Sequence, residues 1–351
     1  MIDITLFKGG GEPAEREVVL KILPKEGQIA KQLSHLTQKV GMITRGHRGY
    51  DAYYIEQASF VLSLLPHIQR EKPDVIYFSD QSLGDLLSIW RTLTKQRYKL
   101  LFCDGAPMSP YAPRCDHIQH LAPIYLQKAL DKGCSPISQS LIPYGLNISP
   151  DFQPLTPSEK ELLRKKLGLP ETFPLVLSVA AINKYHKRAD YLIKEVASLP
   201  EPRPYLLLVG QQDSESREVI ELGNKFLGRT GFEARTVPYR EVANYYKIAD
   251  CFVLASLSEG LPRVLIEAMA CGLPCLAHDY DVPRFILGEE GYFADFTQSG
   301  TLATLITEVL QENKEDASKR IVRHLSAYER FSWEKLRPSY VEMIHTCVKS
   351  S

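Results

Sequence analysis

The chain has 351 residues, more than a single hydrophobic core usually supports, and this length predicts two domains. Its 42 Lys and Arg residues balance its 42 Asp and Glu residues, which argues against a basic surface for nucleic acid. No apolar stretch approaches the ~18 residues of a membrane helix, nothing resembles a secretory signal, and the seven cysteines lack zinc-site spacing. We therefore expect a reduced, cytoplasmic protein without a metal.

Strands alternate with helices along the first 150 residues, an order typical of a parallel sheet covered by helices. Short apolar runs predict strands at 2–7, 40–44, 74–79, 99–103, 117–120 and 140–142. Helical periodicity predicts helices at 52–69, 83–96 and 121–132. The segment 12–39 stays ambiguous, because 18–23 favours a strand and 29–36 favours a helix.

A proline-rich, turn-forming segment at 143–154 separates the two halves of the chain. Thr156 and Glu159 then have capping-box spacing, which predicts a helix that ends at Gly168. Further strands are predicted at 175–180, 205–210, 233–237, 251–254 and 274–277. Further helices are predicted at 189–199, 214–227, 240–248, 263–270, 301–312, 317–328 and 332–348. The alternation predicts an α/β protein throughout.

The segment 256–277 places two acids, Glu259 and Glu267, on either side of a loop that leads into a helix. This loop follows a buried strand, so it lies at the sheet edge where open α/β folds bind ligands. The first turn of the helix attracts a phosphate, and the two acids can accept hydrogen bonds from hydroxyl groups on either side. A nucleotide-diphosphate sugar has this layout, although each acid alone would more often be an ordinary solvated residue.

This segment resembles the retaining glycosyltransferases of family 4, whose pattern is S-x-x-E-G-x-x-x-x-x-x-E-A-M-A-x-G-x-P-V. The matching residues, with Cys275 in place of the last Val, are Ser256, Glu259, Gly260, Glu267, Ala268, Met269, Ala270, Gly272 and Pro274. The resemblance implies that Glu259 binds the donor sugar and Glu267 the nucleotide ribose. It also places Gly260, Leu261 and Pro262 at the donor.

The resemblance implies the glycosyltransferase-B fold, in which two Rossmann-like domains face each other across a cleft. We assign residues 1–150 to an acceptor-binding domain and residues 151–331 to a domain that binds the nucleotide sugar. Residues 332–351 are expected to form a helix that packs back on the first domain. The first domain is shorter than is usual in the family.

A basic cluster follows the first strand of the second domain. Its members are Lys184, His186, Lys187 and Arg188. Cations at this sheet edge could neutralise a diphosphate, and the alternative is a solvated helix start. In the family an Arg, and a Lys five or six residues later, bind the donor phosphates. Lys187 matches the Lys, whereas the Arg position falls at Ala181 or Ile182, so we predict that Lys184 replaces the Arg.

Two residues of the glycine run 9–11 are predicted to bind the donor. Gly10 and Gly11 follow the first strand, and glycine lets backbone N–H groups approach a ligand closely. By itself this run is a weak signal, since it lacks the spacing of a dinucleotide site. The resemblance makes it the family's N-terminal glycine loop.

Three polar residues follow strands of the first domain and are candidates for binding the acceptor. Asp104 stands where the family often has a His at the reacting centre, and it is either an acceptor-binding, catalytic acid or a turn residue. Asp80 and Gln81 follow the preceding strand, and the alternative for them is a plain helix cap.

We therefore expect a retaining glycosyltransferase that moves a hexosyl group from a UDP- or GDP-sugar to an acceptor hydroxyl by front-face displacement. The predicted catalytic residues are Glu259, Lys187 and Asp104. Neither a metal nor a cofactor is expected, and the acceptor is a glycan, a lipid or a small molecule, with peripheral membrane contact left open. The alternatives are a nucleotide-sugar sensor or scaffold without turnover, and a nucleotide-sugar epimerase of the same fold.

Overall fold

The computed structural model describes residues 2–43, 51–105, 114–312 and 317–349. Backbone contacts divide the chain into two compact units. Unit 1 consists of Met1–Leu121, Tyr125–Ile142 and Pro338–Ser351, and unit 2 consists of Ala122–Ile124 and Pro143–Arg337. The division points near Pro143 and Pro338 differ by several residues from the predicted boundaries at 150 and 331.

Unit 1 contains parallel strands that alternate with helices. The strands are β1 (Leu6–Lys8), β2 (Glu17–Val19), β3 (Val75–Phe78), β4 (Lys99–Asp104), β5 (His117–His120) and β6 (Gln139–Leu141). The helices are α1 (Gln28–Ile43), α2 (Ala52–Glu71), α3 (Gln81–Thr94) and α4 (Pro123–Asp131). Strands β3-β4-β5-β6 form one parallel sheet in sequence order, and β1 pairs with β2 in a separate parallel sheet. The ends of β3, β4 and β5 therefore share one edge.

One predicted strand of unit 1, 40–44, is wrong because residues 40–43 form the end of α1; Thr44 lies outside the described residues. Exposed apolar residues earlier in this helix recur at helical spacing, at Ile29, Leu33 and Leu36. The apolar run near residue 40 continues that pattern instead of starting a strand. The ambiguous segment 12–39 contains both a strand, β2, and most of a helix, α1.

Unit 2 is built around one larger parallel sheet. Its strands are β7 (Leu175–Val179), β8 (Tyr205–Val209), β9 (Phe232–Arg235), β10 (Cys251–Leu254), β11 (Cys275–His278) and β12 (Gly291–Ala294). Its helices are α5 (Pro157–Lys166), α6 (Ala189–Ala197), α7 (Ser216–Leu227), α8 (Tyr239–Ile248), α9 (Arg263–Ala270), α10 (Asp281–Leu287), α11 (Thr301–Glu312) and α12 (Ala317–Phe331). The last helix, α13 (Trp333–Lys349), begins in unit 2 and ends in unit 1.

The sheet of unit 2 has the strand order β12-β11-β10-β7-β8-β9. From β7 the chain first adds β8 and β9 on one side and then adds β10, β11 and β12 on the other. The point at which the direction reverses therefore lies between β7 and β10. Every residue of β7, β8 and β10 is buried, as expected for parallel strands that helices cover on both faces.

The elements α10 and β12 were not predicted. Helix α10 has seven residues and contains Pro283, and β12 has four residues that are all half-buried. Segments this short carry too little periodicity to be recognised from sequence. Parallel pairing with β11 stabilises β12 at the edge of the sheet. Among the described residues, no helix is both long and apolar enough to cross a membrane.

Lys160 and Arg164 of α5 form ion pairs with Asp250, which precedes β10 in the sheet of unit 2. The predicted capping box is confirmed, because Thr156 and Glu159 make both of its hydrogen bonds. Further along α5, the buried Arg164 donates to the Ile248 carbonyl at 2.8 Å and to the Asp250 carboxylate at 2.7 Å. Although burial disfavours the ionised form of Asp250, the charges of Lys160 and Arg164 hold its pKa below the usual value.

We predict that Arg164→Ala lowers the free energy of unfolding by about 1–3 kcal/mol, because the Ile248 carbonyl and one Asp250 oxygen lose their donor, whereas Lys160 still pairs with Asp250. Lys165→Ala is the matched control, since Lys165 is the exposed neighbour on the same helix. Urea denaturation of both variants measures the difference. Equal stability of the two variants would show that Arg164 does not hold α5 in place.

Candidate functional site

Two loops meet at the reversal point of the unit 2 sheet. Because β7 and β10 are parallel neighbours, the loops that follow them leave the sheet at the same edge. These loops place the Lys187 ammonium and the Glu259 carboxylate in a direct ion pair. The side chains are 20% and 11% exposed, so the pair is largely shielded from water. Two of the three predicted catalytic residues are thus brought together at the position where open α/β folds bind ligands.

The backbone around Lys187 is fixed by its neighbours. The Lys187 N–H donates to Asn183 Oδ1 at 2.9 Å, and the Ala189 N–H donates to the Asn183 carbonyl at 3.0 Å. Arg188 has a left-handed backbone, with φ of 51°, which is uncommon outside glycine. Sequence reasoning did not identify Asn183, because a single polar residue in a basic segment gives no distinct signal.

Arg188 has a structural role in this arrangement. Its guanidinium donates to the Phe296 carbonyl at 3.0 Å and, more weakly, to the Ala255 carbonyl at 3.4 Å. It also lies over the Tyr191 ring, 4.2 Å from the centroid. Arg188 therefore ties the loop after β7 to the end of β10, and these contacts hold its left-handed backbone in place.

His186 lies on the other side of the Glu259 carboxylate from Lys187. Its Nε2 is 3.8 Å from Glu259 Oε2, and its side chain is 57% exposed. Glu259 thus has a cation at one oxygen and a titratable ring near the other, whereas most of the imidazole faces solvent.

The structure gives Lys184 a different partner. Its ammonium pairs with the Glu218 carboxylate on α7, and its backbone N–H donates to Glu215 Oε2 at 2.9 Å. The hydrogen bond to Glu218 raises the pKa of Lys184. Lys187, and not Lys184, is therefore the cation beside Glu259, and the donor-binding role of Lys184 stays a prediction.

Glu267 lies on α9, where two tyrosines of α8 hold its carboxylate. Tyr239 donates to Oε1 at 2.9 Å and Tyr246 donates to Oε2 at 3.1 Å. Burial, and then the charge of Glu267, raises the pKa of Tyr246 well above its usual value, so the phenol remains a donor. A carboxylate offers about four acceptor positions, so further hydroxyl groups could bind Glu267.

The loop between Glu259 and α9 is buried. Gly260, Leu261 and Pro262 all lie below the surface, and Pro262 caps the helix that starts at Arg263.

The candidates in unit 1 have distinct surroundings. Asp80 is the N-cap of α3 and accepts from the Leu83 N–H at 2.8 Å, and the Tyr53 hydroxyl also donates to it. The structure thus shows the helix-cap role that the sequence left open for Asp80. Gln81 is the first residue of α3.

The glycine run 9–11 directly follows β1. Gly10 and Gly11 are exposed, and Gly11 has a φ of +79°, a conformation that favours glycine. The Lys8 ammonium bridges the turn, donating to the Glu12 carbonyl at 2.7 Å and pairing with Glu17. The run is therefore an exposed turn stabilised by Lys8.

Asp104 is the last residue of β4, and it lies opposite His120, the last residue of β5. Its Oδ2 is 3.7 Å from His120 Nδ1. The sequence gave His120 no functional role, because strand register, which the sequence does not reveal, brings it beside Asp104. In the described ranges, no three His, Cys, Asp or Glu side chains are grouped so that they could hold a metal ion.

Comparison with known families matches residues 159–323 to the family described as glycosyl transferases group 1. A curated relative from Corynebacterium glutamicum, a GDP-mannose-dependent monoacylated alpha-(1-6)-phosphatidylinositol monomannoside mannosyltransferase, is 28% identical over 208 residues. That alignment covers 55% of this chain and 52% of the relative. The chain spans about half the length of the curated relatives that it matches.

Solved structures share the fold over most of the chain. Sucrose-phosphate synthase from Thermosynechococcus elongatus superposes with a TM-score of 0.74 and 20% identity, covering 97% of this chain and 86% of that protein. Anabaena HepE in complex with UDP-glucose superposes with a TM-score of 0.70 and 18% identity, covering 82% of each chain. The chain therefore has the α/β fold of these glycosyltransferase-B proteins.

Proposed function

We propose that this chain, whose residues 159–323 form a glycosyl transferases group 1 domain, transfers a sugar from a nucleotide-diphosphate sugar to an acceptor hydroxyl. The observation that carries the proposal is the Lys187–Glu259 pair at the reversal point of the unit 2 sheet. A cation and a hydroxyl acceptor lie side by side there, directly before the first turn of α9. A sugar joined to a diphosphate needs both groups at adjacent positions.

In this proposal the diphosphate lies against Lys187 and the first turn of α9. Both supply positive charge, and the helix also supplies backbone N–H groups. Glu259 precedes the helix and therefore accepts from the sugar hydroxyls. Glu267 lies further along the helix and accepts from the ribose hydroxyls, beside the donors Tyr239 and Tyr246. Donor binding thus exchanges the Lys187–Glu259 contact for contacts with phosphate and sugar.

The donor is proposed to be a UDP- or GDP-sugar. The solved Anabaena HepE complex contains UDP-glucose, and the relative from Corynebacterium glutamicum is described as GDP-mannose-dependent. These two proteins differ in the base, and a carboxylate that binds ribose does not distinguish one base from another. The proposal therefore leaves both nucleotides as substrates to be tested.

The reaction is proposed to be a front-face displacement with retention. The bond between the anomeric carbon and the diphosphate oxygen breaks, and its electron pair leaves with the diphosphate. The acceptor oxygen bonds to the same face of that carbon, and its proton passes to the departing phosphate oxygen. Lys187 and the α9 N–H groups stabilise the negative charge where it develops.

The proposal predicts that the chain releases nucleoside diphosphate from at least one sugar in a panel of UDP- and GDP-sugars. Calorimetry measures binding and a coupled assay measures release. Binding without release would instead identify a sensor or scaffold, and conversion of the donor sugar without release would identify an epimerase.

Release of nucleoside diphosphate should survive EDTA, because Lys187 and α9 supply the positive charge. Activity that is lost to EDTA and restored by magnesium would contradict this prediction.

The two acids should respond differently to substitution, and each variant is the control for the other. Glu267→Ala should weaken binding of the free nucleoside diphosphate by about 1.5–3 kcal/mol, the range for hydrogen bonds to a charged group. Glu259→Gln should not weaken that affinity, but it should slow transfer by roughly tenfold or more, because the Glu259 carboxylate orients the sugar. Equal losses of nucleotide affinity in both variants would mean that the ligand runs in the other direction.

Lys187→Ala should lower turnover more than donor affinity, because the diphosphate charge grows as the sugar leaves. Lys184→Ala is the matched comparison, since the Lys184 ammonium pairs with Glu218 on α7, and turnover should stay near that of the native chain. Steady-state kinetics of both variants measure the contrast. A comparable loss in Lys184→Ala would support the sequence-based assignment of Lys184 to the phosphates.

A further inference from the structure

A cavity of about 620 Å³ lies at the amino edge of the unit 1 sheet. The chain passes this edge twice, between α2 and β3 and between α3 and β4. The charged residues that line the cavity are Lys72, Asp74, Lys95, Arg97 and Lys99. All of its lining residues belong to unit 1, and its volume is within the range of small-molecule sites.

Three of the cations that line the cavity have no anionic partner in the protein. Within the described ranges, no ion pair with a carboxylate is formed by Lys72, Lys95 or Arg97. All three residues are exposed to solvent. Their charges are therefore available to a ligand that enters the cavity.

The fourth cation, Lys99, shares a carboxylate with another basic residue. Its ammonium lies 3.9 Å from Asp116, which pairs more closely with Arg91. One carboxylate neutralises only one of two cations, so Lys99 adds positive charge to the cavity. Its side chain is 21% exposed, so it is less mobile than the three exposed cations.

Two features of the cavity reduce this positive charge without cancelling it. Asp74 supplies one carboxylate, and the carboxyl ends of α2 and α3 each contribute about half a negative charge. The cations therefore leave an excess of about two positive charges. A phosphate monoester carries about 1.5 to 2 negative charges at neutral pH, which matches this excess.

Part of the lining is apolar. It consists of Ile68, Pro73, Tyr98 and Val348. The Tyr98 hydroxyl is already used, since it donates to the Leu87 carbonyl at 2.8 Å, so Tyr98 offers the cavity apolar ring surface. Val348 belongs to the last turn of α13, so a ligand in the cavity would also contact that helix.

The cavity is remote from the residues of unit 1 that were predicted to bind the acceptor. Strand β4 has six residues, so Lys99 at its start and Asp104 at its end are about 16 Å apart. Asp80 likewise follows the carboxyl end of β3, whereas Asp74 precedes its amino end. A small ligand in the cavity is therefore distinct from the acceptor of the proposed reaction.

We propose that this amino-edge cavity binds a phosphorylated ligand with a small apolar portion. The phosphate lies among the four cations, and the apolar portion lies against Tyr98 and Val348. The recognised group is a phosphate monoester, which either a soluble compound or the headgroup of phosphatidic acid can supply. The inference is independent of the proposed function, so a chain that transfers no sugar should still bind the ligand.

Calorimetry on the full chain tests the site with inorganic phosphate, phenyl phosphate and phenol. Inorganic phosphate should bind, and phenyl phosphate should bind about tenfold more tightly, the gain expected when about 60 Å² of ring surface is buried. Phenol should not bind detectably, because it lacks the charge. The proposal is overturned if neither phosphate compound binds, or if phenol binds as tightly as phenyl phosphate.

A double variant, Lys95→Gln with Arg97→Gln, tests where the phosphate binds. It should weaken phenyl phosphate binding roughly tenfold, the combined loss of two exposed charge contacts. The matched control is Lys128→Gln with Lys132→Gln, which removes two exposed charges of unit 1 that do not line the cavity, and it should bind with native affinity. Equal losses in the two double variants would show attraction to overall charge and overturn the site. Native affinity in the cavity variant would place the phosphate elsewhere, such as beside Lys187, and would also overturn it.

Asp74→Asn should bind phenyl phosphate about twofold to fivefold more tightly, because it removes a negative charge beside the phosphate. Partial unfolding does not raise affinity, so this nearly isosteric variant decides the result if the double variant fails to fold. Unchanged or weaker binding by Asp74→Asn would overturn the placement of the phosphate in this cavity.

Vesicles distinguish the two sources of the phosphate monoester. Sedimentation of the native chain with phosphatidylcholine vesicles that contain phosphatidic acid, lost in the Lys95→Gln and Arg97→Gln double variant, would identify a lipid headgroup. Binding of phenyl phosphate without sedimentation would identify a soluble compound. Sedimentation that the double variant retains in full would overturn the lipid source, because another surface would then hold the vesicle.

Discussion

The reversal of strand order between β7 and β10 is the constraint on which the candidate donor site depends. After β7 the chain continues toward β8 on one side of the sheet, and after β10 it continues toward β11 on the other side. The loops that follow β7 and β10 therefore diverge and leave a gap between them. Lys187 and Glu259 enter this gap from its two sides. Fully buried strands hold the loops in register, and Arg188 joins them at the Phe296 carbonyl. The buried strands and Arg188 thus hold Lys187 and Glu259 in position.

Glu259 and Glu267, the two acids of the candidate site, have partners of different chemistry, which suits different roles. Glu259 is neutralised by a cation, so a ligand that attracts Lys187 must also offer hydroxyl donors to the carboxylate. Glu267 is held by two neutral phenols, which add no positive charge and leave acceptor positions for further hydroxyl groups. An anionic group is therefore favoured near Lys187, whereas a diol is favoured near Glu267.

Most residues of the candidate donor site in unit 2 can be selected from the sequence because they belong to one contiguous pattern. Glu259 lies in the loop before α9 and Glu267 lies on α9, so the two acids stay close along the chain. One strand prediction was wrong, because residues 40–43 continue the helical periodicity of α1 and do not form a strand. The partner of Lys184 could not be predicted, because Glu218 reaches it from α7 and no local pattern reveals which elements pack together.

His120 illustrates the same limit more strongly, because its position beside Asp104 depends on register. A shift of one residue between β4 and β5 would turn its ring to the opposite face of the sheet and leave Asp104 without a partner. Parallel pairing of Leu101 with His117 at the start of β5 excludes that shift. The hydrogen bond to Gln139 then orients the ring. Three consecutive strands thus build the Asp104 surroundings, whereas one loop and one helix carry both acids of the candidate donor site. This difference explains why only the candidate donor site has a recognisable sequence pattern.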